Sequence, residues 1–324
     1  MDQQSPVGQI EAAVTTFAKD YVPGVSHWCV ALSGGPDSLA LVAVAARVLS
    51  TTALIVDHRL QPGSDAVAET ARDQALQLGC VGAEVIPVTV DGTGGPEAAA
   101  RTARYAALDR ARHDAPVLIG HTLDDQAETV LLGLGRGSGP RSIAGIRPYD
   151  PPWGRPLLGL RRQVTEAACA QLGLVPWRDP HNTDPRFTRV RLRGEVLPLL
   201  EEVLDGGVAA ALARTAAALQ EDGEVLDALA AGLRDGARAG NGLAVAALRE
   251  APAALRRRAI RTWLLDGGAV DLTDRQIRAV DALITGWRGQ GGVAVPSAGR
   301  NERLFAGRRD GVLTLYREPV RRHR

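Results

Sequence analysis

SGGPDS, residues 33–38, separates the apolar run HWCVAL (27–32) from the apolar, helix-like run LALVAVAARVL (39–49). This pattern predicts a strand before the segment and a helix after it. Because Gly34 and Gly35 carry no side chain, their backbone can approach an anion closely. Successive amides of the turn and of the first helical turn then point at that anion, and the helix dipole favours it. The segment therefore predicts a loop that cradles a pyrophosphate.

Polar side chains of the same loop agree with this interpretation. Ser33 and Ser38 supply hydroxyl donors, and Asp37 can hold the Mg²⁺ that accompanies a pyrophosphate. Two better-known glycine motifs do not fit, because GxxxxGK[ST] requires a lysine that the loop lacks and GxGxxG requires a different spacing. A simple tight turn before a helix is the alternative. The predicted nucleotide-binding residues of the loop are Ser33, Gly34, Gly35, Pro36, Asp37 and Ser38.

Short apolar runs alternate with longer amphipathic ones through the first part of the chain. This alternation predicts an α/β fold with a doubly wound parallel sheet, right-handed crossovers and helices on both faces. A ligand cleft is expected at the carboxyl ends of the strands. The predicted strands are 27–33, 52–57, 83–90 and 116–120, and the predicted helices are 38–49, 65–79, 96–113 and 123–134.

The remainder of the chain differs in composition. Residues 136–160 are rich in Gly and Pro and predict a long loop with short extended pieces. The sequence becomes strongly Ala-rich near residue 208, which predicts a catalytic domain over 1–207 and a smaller, mainly helical domain over 208–324. The end of the second domain predicts a short β-hairpin or meander. The further predicted helices are 162–172, 189–204, 211–233, 252–265 and 272–286.

Composition limits the classes of protein that fit. With 324 residues, 45% of them hydrophobic and 23% charged, the chain suits a globular protein with two domains. It has no apolar run of about 18 residues and no basic-then-apolar N-terminal segment, so we expect a cytoplasmic protein without membrane association. Cys29, Cys80 and Cys169 lie far apart, which argues against a disulfide framework and against a cysteine-bound zinc or iron–sulfur site.

Charge is distributed unevenly along the chain. From Arg214 onward there are 19 basic and 13 acidic residues, whereas residues 1–213 hold 19 basic and 24 acidic ones. This asymmetry predicts a catalytic domain joined to a module that binds a polyanion, and an accident of surface composition is an equal alternative. Lys19 is the single lysine, so arginine supplies nearly all other cationic side chains and suits bidentate contacts with phosphate.

A second polar stretch, GHTLDDQAET at 120–129, follows the fourth predicted strand. Thr122 is a plausible N-cap, and acids at the start of a helix stabilise it through the helix dipole. Helix-start chemistry alone explains these residues. The segment also opens onto the same predicted cleft as Asp37, and a spacing of three places Asp125 and Glu128 on one helix face.

SGGPDS resembles the SGGxDS signature of the PP-loop ATP pyrophosphatases, which cleave ATP between the α and β phosphates to make an adenylate. Within that superfamily, almost the whole first domain is similar to the tRNA(Ile)-lysidine synthases. The stretches that carry this similarity are VDHRLQPGS at 56–64, ARTARY at 100–105, GHTLDDQAETVLL at 120–132, RGSG at 136–139, RPLL at 155–158 and HNTDPRFTRVRLRGEVLPLL at 181–200.

The resemblance implies an enzyme that joins free L-lysine to C2 of the wobble cytidine of tRNA(Ile) with a CAU anticodon. ATP and Mg²⁺ are the implied cofactors, because the cytidine is first adenylated with release of pyrophosphate and lysine then displaces AMP. The lysine ammonium needs a carboxylate-lined pocket, to which Asp125 or Glu128 could contribute. The implied catalytic residues are Asp37, Asp125, His121 and Arg191, with Asp37 and Asp125 as magnesium ligands. Val56 and Asp57 are expected to border the nucleoside pocket, with a surface turn as the alternative.

Arginines at three places are predicted to bind RNA, and a solvated helix face is the alternative for those in ARTARY and in LRRRAIRTW. Those in ARTARY and around Val190 are implied by the resemblance, and those in LRRRAIRTW at 255–263 follow from the basic character of the second domain. The chain departs from the family at Arg59 and Gln61, where DHGLR is usual, and at Val190, where Asn is usual. The predicted RNA-binding residues are Arg101, Arg104, Arg189, Arg193, Arg256 and Arg257.

Other classes of protein remain as alternatives. A PP-loop tRNA thiolase generally needs reactive or cluster-binding cysteines, often as CxxC pairs, and an amidotransferase-type relative needs a glutaminase domain or an ammonia-channel partner. A non-catalytic nucleotide- or RNA-binding module would tolerate loss of Asp37 and Asp125, and both acids are present. The sequence leaves the oligomeric state open, with a homodimer as one alternative.

Overall fold

The computed structural model describes residues 5–59, 63–90, 96–137, 139–180, 184–299 and 302–319. Contacts within the chain define two compact units. The first consists of Met1–Leu131 and Gly145–Arg214, and the second of Leu132–Ala144 and Thr215–Arg324. The boundary that we propose from composition, after residue 207, falls at the start of the helix Val208–Gly236.

The first unit is built on a mainly parallel sheet. Its strands are β1 (His27–Ala31), β2 (Ser50–Asp57), β3 (Gly82–Pro87), β4 (Val117–Ile119), β5 (Tyr149–Asp150) and β6 (Trp153–Gly154). Within the described ranges the order is β3-β2-β1-β4-β6-β5, and only the pair β5–β6 is antiparallel. Because the order reverses at β1, the carboxyl ends of β1 and β4 lie side by side, which is where doubly wound sheets bind ligands.

Helices cover both faces of this sheet. The helices between residues 5 and 203 are α1 (Pro6–Tyr21), α2 (Pro36–Val48), α3 (Ser64–Gln77), α4 (Pro96–Ala111), α5 (Leu123–Gly135), α6 (Pro140–Ile143), α7 (Arg162–Gln171), α8 (Thr188–Arg191), a π-helical turn (Leu192–Val196) and α9 (Leu197–Val203). Of these, the end of α5 and the whole of α6 belong to the second unit. Ile10 of α1, Leu41 of α2 and Ala168 of α7 share the main core. Leu108 of α4 packs with Cys29 and Val117 in a separate cluster. The predicted doubly wound α/β fold is confirmed.

The helix after the SGGPDS loop is apolar on all sides because it is buried on all sides. The sheet lies on one side of α2, while α1 and α7 pack on the other, so that residues 38–45 are all buried. A helix without a polar face is stable only in such a position. The sequence run LALVAVAARVL therefore places the loop at the centre of the unit.

The N-terminal helix α1 was not among the predicted elements. Ser5 caps it, since its Oγ accepts a hydrogen bond of 3.2 Å from the amide of Gly8, and Pro6 occupies the first helical position. Ile10 and Phe17 are buried, whereas Lys19 in the last turn is exposed. The buried positions Val7, Ile10, Val14 and Phe17 are three or four residues apart, so the helical period was present in the sequence and was overlooked.

The second unit is helical with an antiparallel sheet, as predicted. Its elements are α10 (Val208–Gly236), β7 (Arg238–Ala239), β8 (Gly242–Ala244), α11 (Val245–Arg249), α12 (Ala253–Asp266), α13 (Asp274–Thr285), β9 (Val293–Val295), β10 (Glu302–Arg309) and β11 (Val312–Pro319). In the described part of the chain the sheet runs β7-β8-β11-β10-β9. The sheet is larger than the predicted hairpin, because β8 returns to pair with β11.

The segment 136–160, predicted as a long loop with short extended pieces, contains α6, β5 and β6, each of two to four residues. These short elements agree with that prediction.

No helix in the described ranges has both the length and the apolar character that a membrane span requires.

Candidate active site

Hydrogen bonds within the loop 33–38 fix its shape. The Ser33 amide donates to Ser38 Oγ at 3.2 Å, and the two hydroxyl oxygens are 3.0 Å apart. Ser38 Oγ in turn donates to the Gly35 carbonyl at 3.0 Å. Gly34 has φ +79°, in the left-handed region that favours glycine, and its carbonyl accepts a bond of 2.9 Å from the Trp177 amide. The two serines predicted to face a phosphate thus also stabilise the turn.

Gly120 allows the end of β4 to approach this loop. A Cβ on Gly120 would lie 3.0 Å from the Asp37 carbonyl group and from the Ser38 amide nitrogen. That separation is tighter than ordinary packing, so a side chain here would push the two segments apart. Because Gly120 is followed by HTLDD, the close approach brings the acids of α5 beside Asp37.

Asp37 lies in the first turn of α2 and is held by α7. Its Oδ2 accepts a hydrogen bond of 3.1 Å from Arg162 Nε, and its Oδ1 accepts one from the Thr165 hydroxyl. Burial raises the pKa of Asp37 above its usual value, although the Arg162 charge and the Thr165 hydrogen bond oppose that effect. Asp37 is therefore a carboxyl group whose charge depends on a cation beside it.

Asp125 faces the same cation. Its Oδ2 accepts the amide and the hydroxyl of Thr122, each at 2.8 Å, and its Oδ1 accepts Arg162 Nη2 at 2.9 Å. Burial alone would raise the pKa of Asp125, but Arg162, His121 and the Thr122 bonds hold it below its usual value. Thr122 is the helix start that the sequence predicted, and it orients this carboxylate.

Arg162 joins the two acids and was not predicted. It lies at the first position of α7, and its side chain is 17% exposed. Besides Asp37 and Asp125, it lies 3.9 Å from Glu128. Burial alone would lower the pKa of Arg162, but Asp125 and Asp37 hold it above its ordinary value. No sequence signal separates Arg162 from the neighbouring Arg161, which pairs with Asp124 at 3.0 Å.

Glu128 is fully buried one helical turn beyond Asp125. Its Oε1 accepts Arg193 Nε at 2.8 Å, and its Oε2 lies 3.6 Å from Arg189 Nη1. That second oxygen has no hydrogen-bond partner within the described ranges. Arg193 also approaches Asp125, with 3.6 Å between Nη2 and Oδ1. Two arginines predicted to bind RNA are therefore placed on the site carboxylates.

His121 lies between these acids and a group of arginines. Burial lowers the pKa of His121 to about 3, and Arg155, Arg104 and Arg101 act in the same direction, whereas Asp125 opposes them. The imidazole is thus neutral at physiological pH, and its buried Nδ1 has no hydrogen-bond partner in the described part of the chain. A neutral ring of this kind can accept or donate one hydrogen bond to a substrate.

The predicted nucleoside residues end strand β2. Asp57 is buried, and its Oδ1 accepts the amide of Arg59 at 2.9 Å, so it shapes the turn that follows. The Val56 side chain packs on the cluster of Cys29 and Leu54. Contact with a nucleoside stays a prediction for both residues.

The structure does not bring Arg191 to the carboxylates. Its Nη2 and Nε lie 2.9–3.2 Å from Glu195 on the same helical face, and its side chain is 60% exposed. Successive residues in helical backbone point about 100° apart, so Arg189 and Arg193 share a face that Arg191 leaves. A role at phosphorus suits Arg162 and Arg193 better, because these two already lie at the site.

The remaining predicted RNA contacts divide in two. Arg101 and Arg104 lie over the ring of Tyr105, with 4.9 and 5.6 Å from guanidinium carbon to ring centre. Arg256 is buried, pairs with Asp281 and donates to the Ala251 carbonyl at 2.7 Å. This is the geometry of an internal ion pair and not of a surface that meets RNA. Arg257, which lies 3.0 Å from Asp281, is one-third exposed, and RNA contact stays a prediction for it.

Magnesium was predicted at Asp37 and Asp125. The described residues include no group of three or more His, Cys, Asp and Glu side chains arranged to hold a metal ion. The two carboxylates nevertheless converge on one guanidinium, at 3.1 and 2.9 Å, so the space between them suits a cation. One or two carboxylates are what Mg²⁺ takes from a protein when phosphate oxygens and waters complete its shell. The donor set fits Mg²⁺ bound to a nucleotide.

Comparisons with known proteins show the family of the chain. The chain matches the profile of a PP-loop domain over residues 7–200 and that of a TilS substrate binding domain over 243–314. It is 69% identical to the tRNA(Ile)-lysidine synthase of Mycolicibacterium paratuberculosis, across 99% of this chain and 100% of that protein. It is 66% identical to the tRNA(Ile)-lysidine synthase of Mycobacterium tuberculosis H37Rv, with the same coverage.

A solved structure shows the same fold. The U34-tRNA thiolase NcsA from Methanococcus maripaludis, determined with its [4Fe-4S] cluster, superposes with a TM-score of 0.54 at 17% identity. The superposition covers 67% of this chain and 80% of the thiolase. At this identity the likeness concerns the fold alone.

Proposed function

This chain belongs to the tRNA(Ile)-lysidine synthase family of PP-loop ligases, and from that premise we propose how its residues divide the work of forming lysidine. The family uses ATP to activate its RNA substrate, tRNA(Ile). The observation that carries the proposal is the meeting of Asp37 and Asp125 on Arg162, beside the loop 33–38 at the carboxyl ends of β1 and β4.

In the first step the loop holds the β and γ phosphates of ATP. Backbone amides of Gly34, Gly35 and the start of α2 face the anion, and the Ser33 hydroxyl adds a donor, whereas the Ser38 hydroxyl holds the turn through the Gly35 carbonyl. When bound, Mg²⁺ neutralises charge on the phosphates, and Asp37 and Asp125 would hold it. Val56 and Asp57 at the end of β2 border the nucleoside.

The wobble cytidine is then adenylated. The C2 carbonyl oxygen attacks the α-phosphorus, an O–P bond forms, and the bond to the leaving pyrophosphate breaks. This step is needed because a ring carbonyl has no leaving group, and the adenylate supplies one. Negative charge on the phosphorus oxygens is stabilised by Arg162 and Arg193, and the neutral His121 can hydrogen-bond the base.

Lysine completes the reaction. Its side-chain amine, after losing a proton, attacks C2, so that a C–N bond forms and AMP leaves with the former carbonyl oxygen. Before that loss the ammonium needs anionic partners, and Asp125 and Glu128 provide them. Glu128 is well suited, because its buried Oε2 has no hydrogen-bond partner within the described ranges.

The RNA substrate that we propose is tRNA(Ile) with a CAU anticodon. The target base must leave its stack to reach the cleft, which is easiest in the single-stranded anticodon loop. Arg101 and Arg104, beside Tyr105 on α4, supply cations and an aromatic ring for such a strand. The basic second unit is suited to the body of the tRNA. We place the reaction in the cytoplasm, where tRNA, ATP and free lysine occur together.

The thiolase alternative is not favoured. Burial raises the pKa of the Cys29, Cys80 and Cys169 thiols to about 11 each, and all three are buried and unpaired. A sulfur-transfer enzyme needs accessible thiolates or a cluster-binding set. The full-length relatives described above carry the lysidine synthase name, which agrees with these inert thiols.

An Asp37→Asn variant tests the proposal. Removing the charge beside the phosphate loop should slow pyrophosphate release by about 100- to 1,000-fold, as for other electrostatic contacts to a transition state. The assay contains ATP, lysine and unmodified tRNA(Ile), with pyrophosphate measured by a coupled assay and lysidine by mass spectrometry. Asp73→Asn, at an exposed acid of α3, is the control. Wild-type turnover in Asp37→Asn, or no lysidine from the wild-type protein, would contradict the proposal.

A further inference from the structure

Six side chains of the first unit form a balanced charge cluster, which we call the carboxylate cluster. Three acids face three arginines, so the cluster carries no net charge when all six are ionised. Arg162 forms ion pairs with Asp37 and Asp125, whereas Glu128 pairs chiefly with two arginines from the segment 188–196. The members are Asp37, Asp125, Glu128, Arg162, Arg189 and Arg193.

Glu128 is the least well satisfied acid of the cluster. It is fully buried, yet one oxygen has a hydrogen bond of 2.8 Å and the other has none in the described part of the chain. Arg189 Nη1 lies 3.6 Å from that second oxygen, beyond hydrogen-bond distance. A buried charged acceptor with an unmade bond is costly, so Glu128 would gain from a donor that fits more closely.

Arg189 and Arg193 are the more exposed arginines of the carboxylate cluster. Their side chains are 39% and 35% exposed, whereas that of Arg162 is 17% exposed. They flank the start of the π-helical turn Leu192–Val196, a distortion that occurs frequently at functional sites. Because Glu128 is fully buried, its charge must stay paired, so these two guanidiniums can leave it only when another cation takes their place.

Phosphate and lysine would bind opposite members of this cluster, phosphate the arginines and the lysine ammonium a carboxylate. Guanidinium groups bind phosphate in a bidentate manner, and ATP brings several phosphate oxygens to the adjacent loop. Lysine brings a compact ammonium, which needs the carboxylate that the arginines now hold. In the absence of a nucleotide, lysine must compete with Arg189 and Arg193 for Glu128.

We propose that Arg189 and Arg193 exchange Glu128 for the phosphates when ATP binds, and that Glu128 then receives the ammonium of lysine. ATP thereby creates the lysine site, and lysine enters second. This inference rests on the proposed function and adds an order of binding to it. By linkage, lysine must strengthen ATP binding by the same factor as ATP strengthens lysine binding.

The test measures lysine affinity without tRNA. L-lysine is titrated into the protein by isothermal titration calorimetry, with and without α,β-methylene-ATP and MgCl₂. This analogue is chosen because it cannot be cleaved between its α and β phosphates. We expect lysine to bind about tenfold or more tightly with the analogue, within the usual range of coupling between sites. The reciprocal titration of the analogue, with and without lysine, should give the same factor.

Two variants assign the coupling to its residues. Arg189→Gln removes one competitor of lysine, so the affinity without the analogue should rise and the dependence on the analogue should shrink. Glu128→Gln keeps the shape of the side chain, and it should weaken lysine binding in both conditions while analogue binding persists. Arg186→Gln is the matched control, since Arg186 is 82% exposed and pairs with Asp184 outside the cluster.

Each result supports or contradicts the proposed exchange of Glu128 for phosphate by Arg189 and Arg193. Equal lysine affinity with and without the analogue, in protein that forms lysidine, would overturn the inference and leave the proposed function intact. Arg189→Gln with the lysine affinities and coupling of the wild type would also overturn it. If the protein neither binds lysine nor forms lysidine, the proposed function fails together with the inference.

Discussion

Both compact units contain a buried arginine–carboxylate cluster, and the two clusters differ in how completely their polar atoms are paired. In the second unit, Asp281 receives Arg256 and Arg257, and Arg256 also donates to a backbone carbonyl. In the first unit, the carboxylate cluster leaves Glu128 Oε2 without a hydrogen bond, and the adjacent His121 Nδ1 is also unpaired within the described ranges.

This difference separates a structural ion pair from a functional site. In the described part of the second unit, every buried side-chain nitrogen or oxygen has a hydrogen-bond partner. Buried polar groups are normally satisfied, so an unsatisfied set requires an explanation such as a ligand. Charge alone does not distinguish the two clusters, because each contains arginines that were predicted from the sequence to bind RNA.

The strongest test of this comparison is Arg162→Gln. It leaves Asp37 and Asp125 as neighbouring buried acids without their shared cation, so we expect turnover to fall by about 100-fold or more. Stability should fall by about 3 kcal/mol, as when one partner of a buried ion pair is removed. Lysidine formation and urea denaturation measure the two effects.

Two matched variants accompany Arg162→Gln. Arg162→Lys restores a positive charge without the planar fork and should recover part of both losses. Arg161→Gln removes the adjacent, more exposed arginine and should cost less than about 1 kcal/mol. Equal effects of the Arg161 and Arg162 changes would mean that Arg162 has no special place in the site.

The second cluster is tested by Asp281→Asn. Arg256 would lose its charged partner in a buried position, so we expect stability to fall by about 3 kcal/mol while the folded protein keeps its turnover. Urea denaturation followed by circular dichroism gives the first quantity, and the rate per folded molecule gives the second. Asp274→Asn, at an exposed pair with Arg278 on the same helix, is the control.

A turnover defect in Asp281→Asn would contradict the comparison. If the folded variant lost tRNA-dependent activity while its affinity for the ATP analogue persisted, the second cluster would serve RNA after all. The prediction that Arg256 contacts RNA would then regain support.

The smallest effect concerns pH. Burial lowers the pKa of His121 from 6.5 in the unfolded chain to about 3. As pH falls below 6.5, the unfolded chain takes up a proton at this residue before the folded protein does, so stability decreases. The contribution of His121 should make the protein up to about 2 kcal/mol less stable at pH 5 than at pH 7.

His121→Asn should remove this part of the pH dependence. Urea denaturation at several pH values gives the slope for both proteins, and His113→Asn, at an exposed histidine, serves as the control. If His121→Asn loses as much stability on acidification as the wild type, His121 is not held neutral in the folded protein.

Much of the fold could be predicted because it depends on local patterns. The four predicted strands of the first unit correspond to β1–β4, since parallel strands buried on both faces are short apolar runs. The place of the site followed from topology, because the loops after β1 and β4 meet where the strand order reverses. The helix start at Thr122 was also readable from its residue type, whereas the helix predicted from residue 38 begins two residues earlier, at Pro36.

The partners of the site residues could not be predicted in the same way. Arg162 is 125 residues from Asp37 along the chain, and Arg193 is 65 residues from Glu128, so no local pattern links them. Alternate arginines at 189, 191 and 193 look equivalent in sequence. Only the helical backbone of the segment separates the two that reach the site from the one that pairs with Glu195.

The near absence of lysine from the chain has a practical consequence. Lys19, in the last turn of α1, is exposed, and the cations of the carboxylate cluster are all guanidiniums. Apart from the α-amino group of the chain, a dye that reacts with amines would therefore attach to one side chain of this protein and leave the cluster chemically unmodified. Labelled in this way, a single molecule could be watched by fluorescence during turnover without blocking the chemistry under observation.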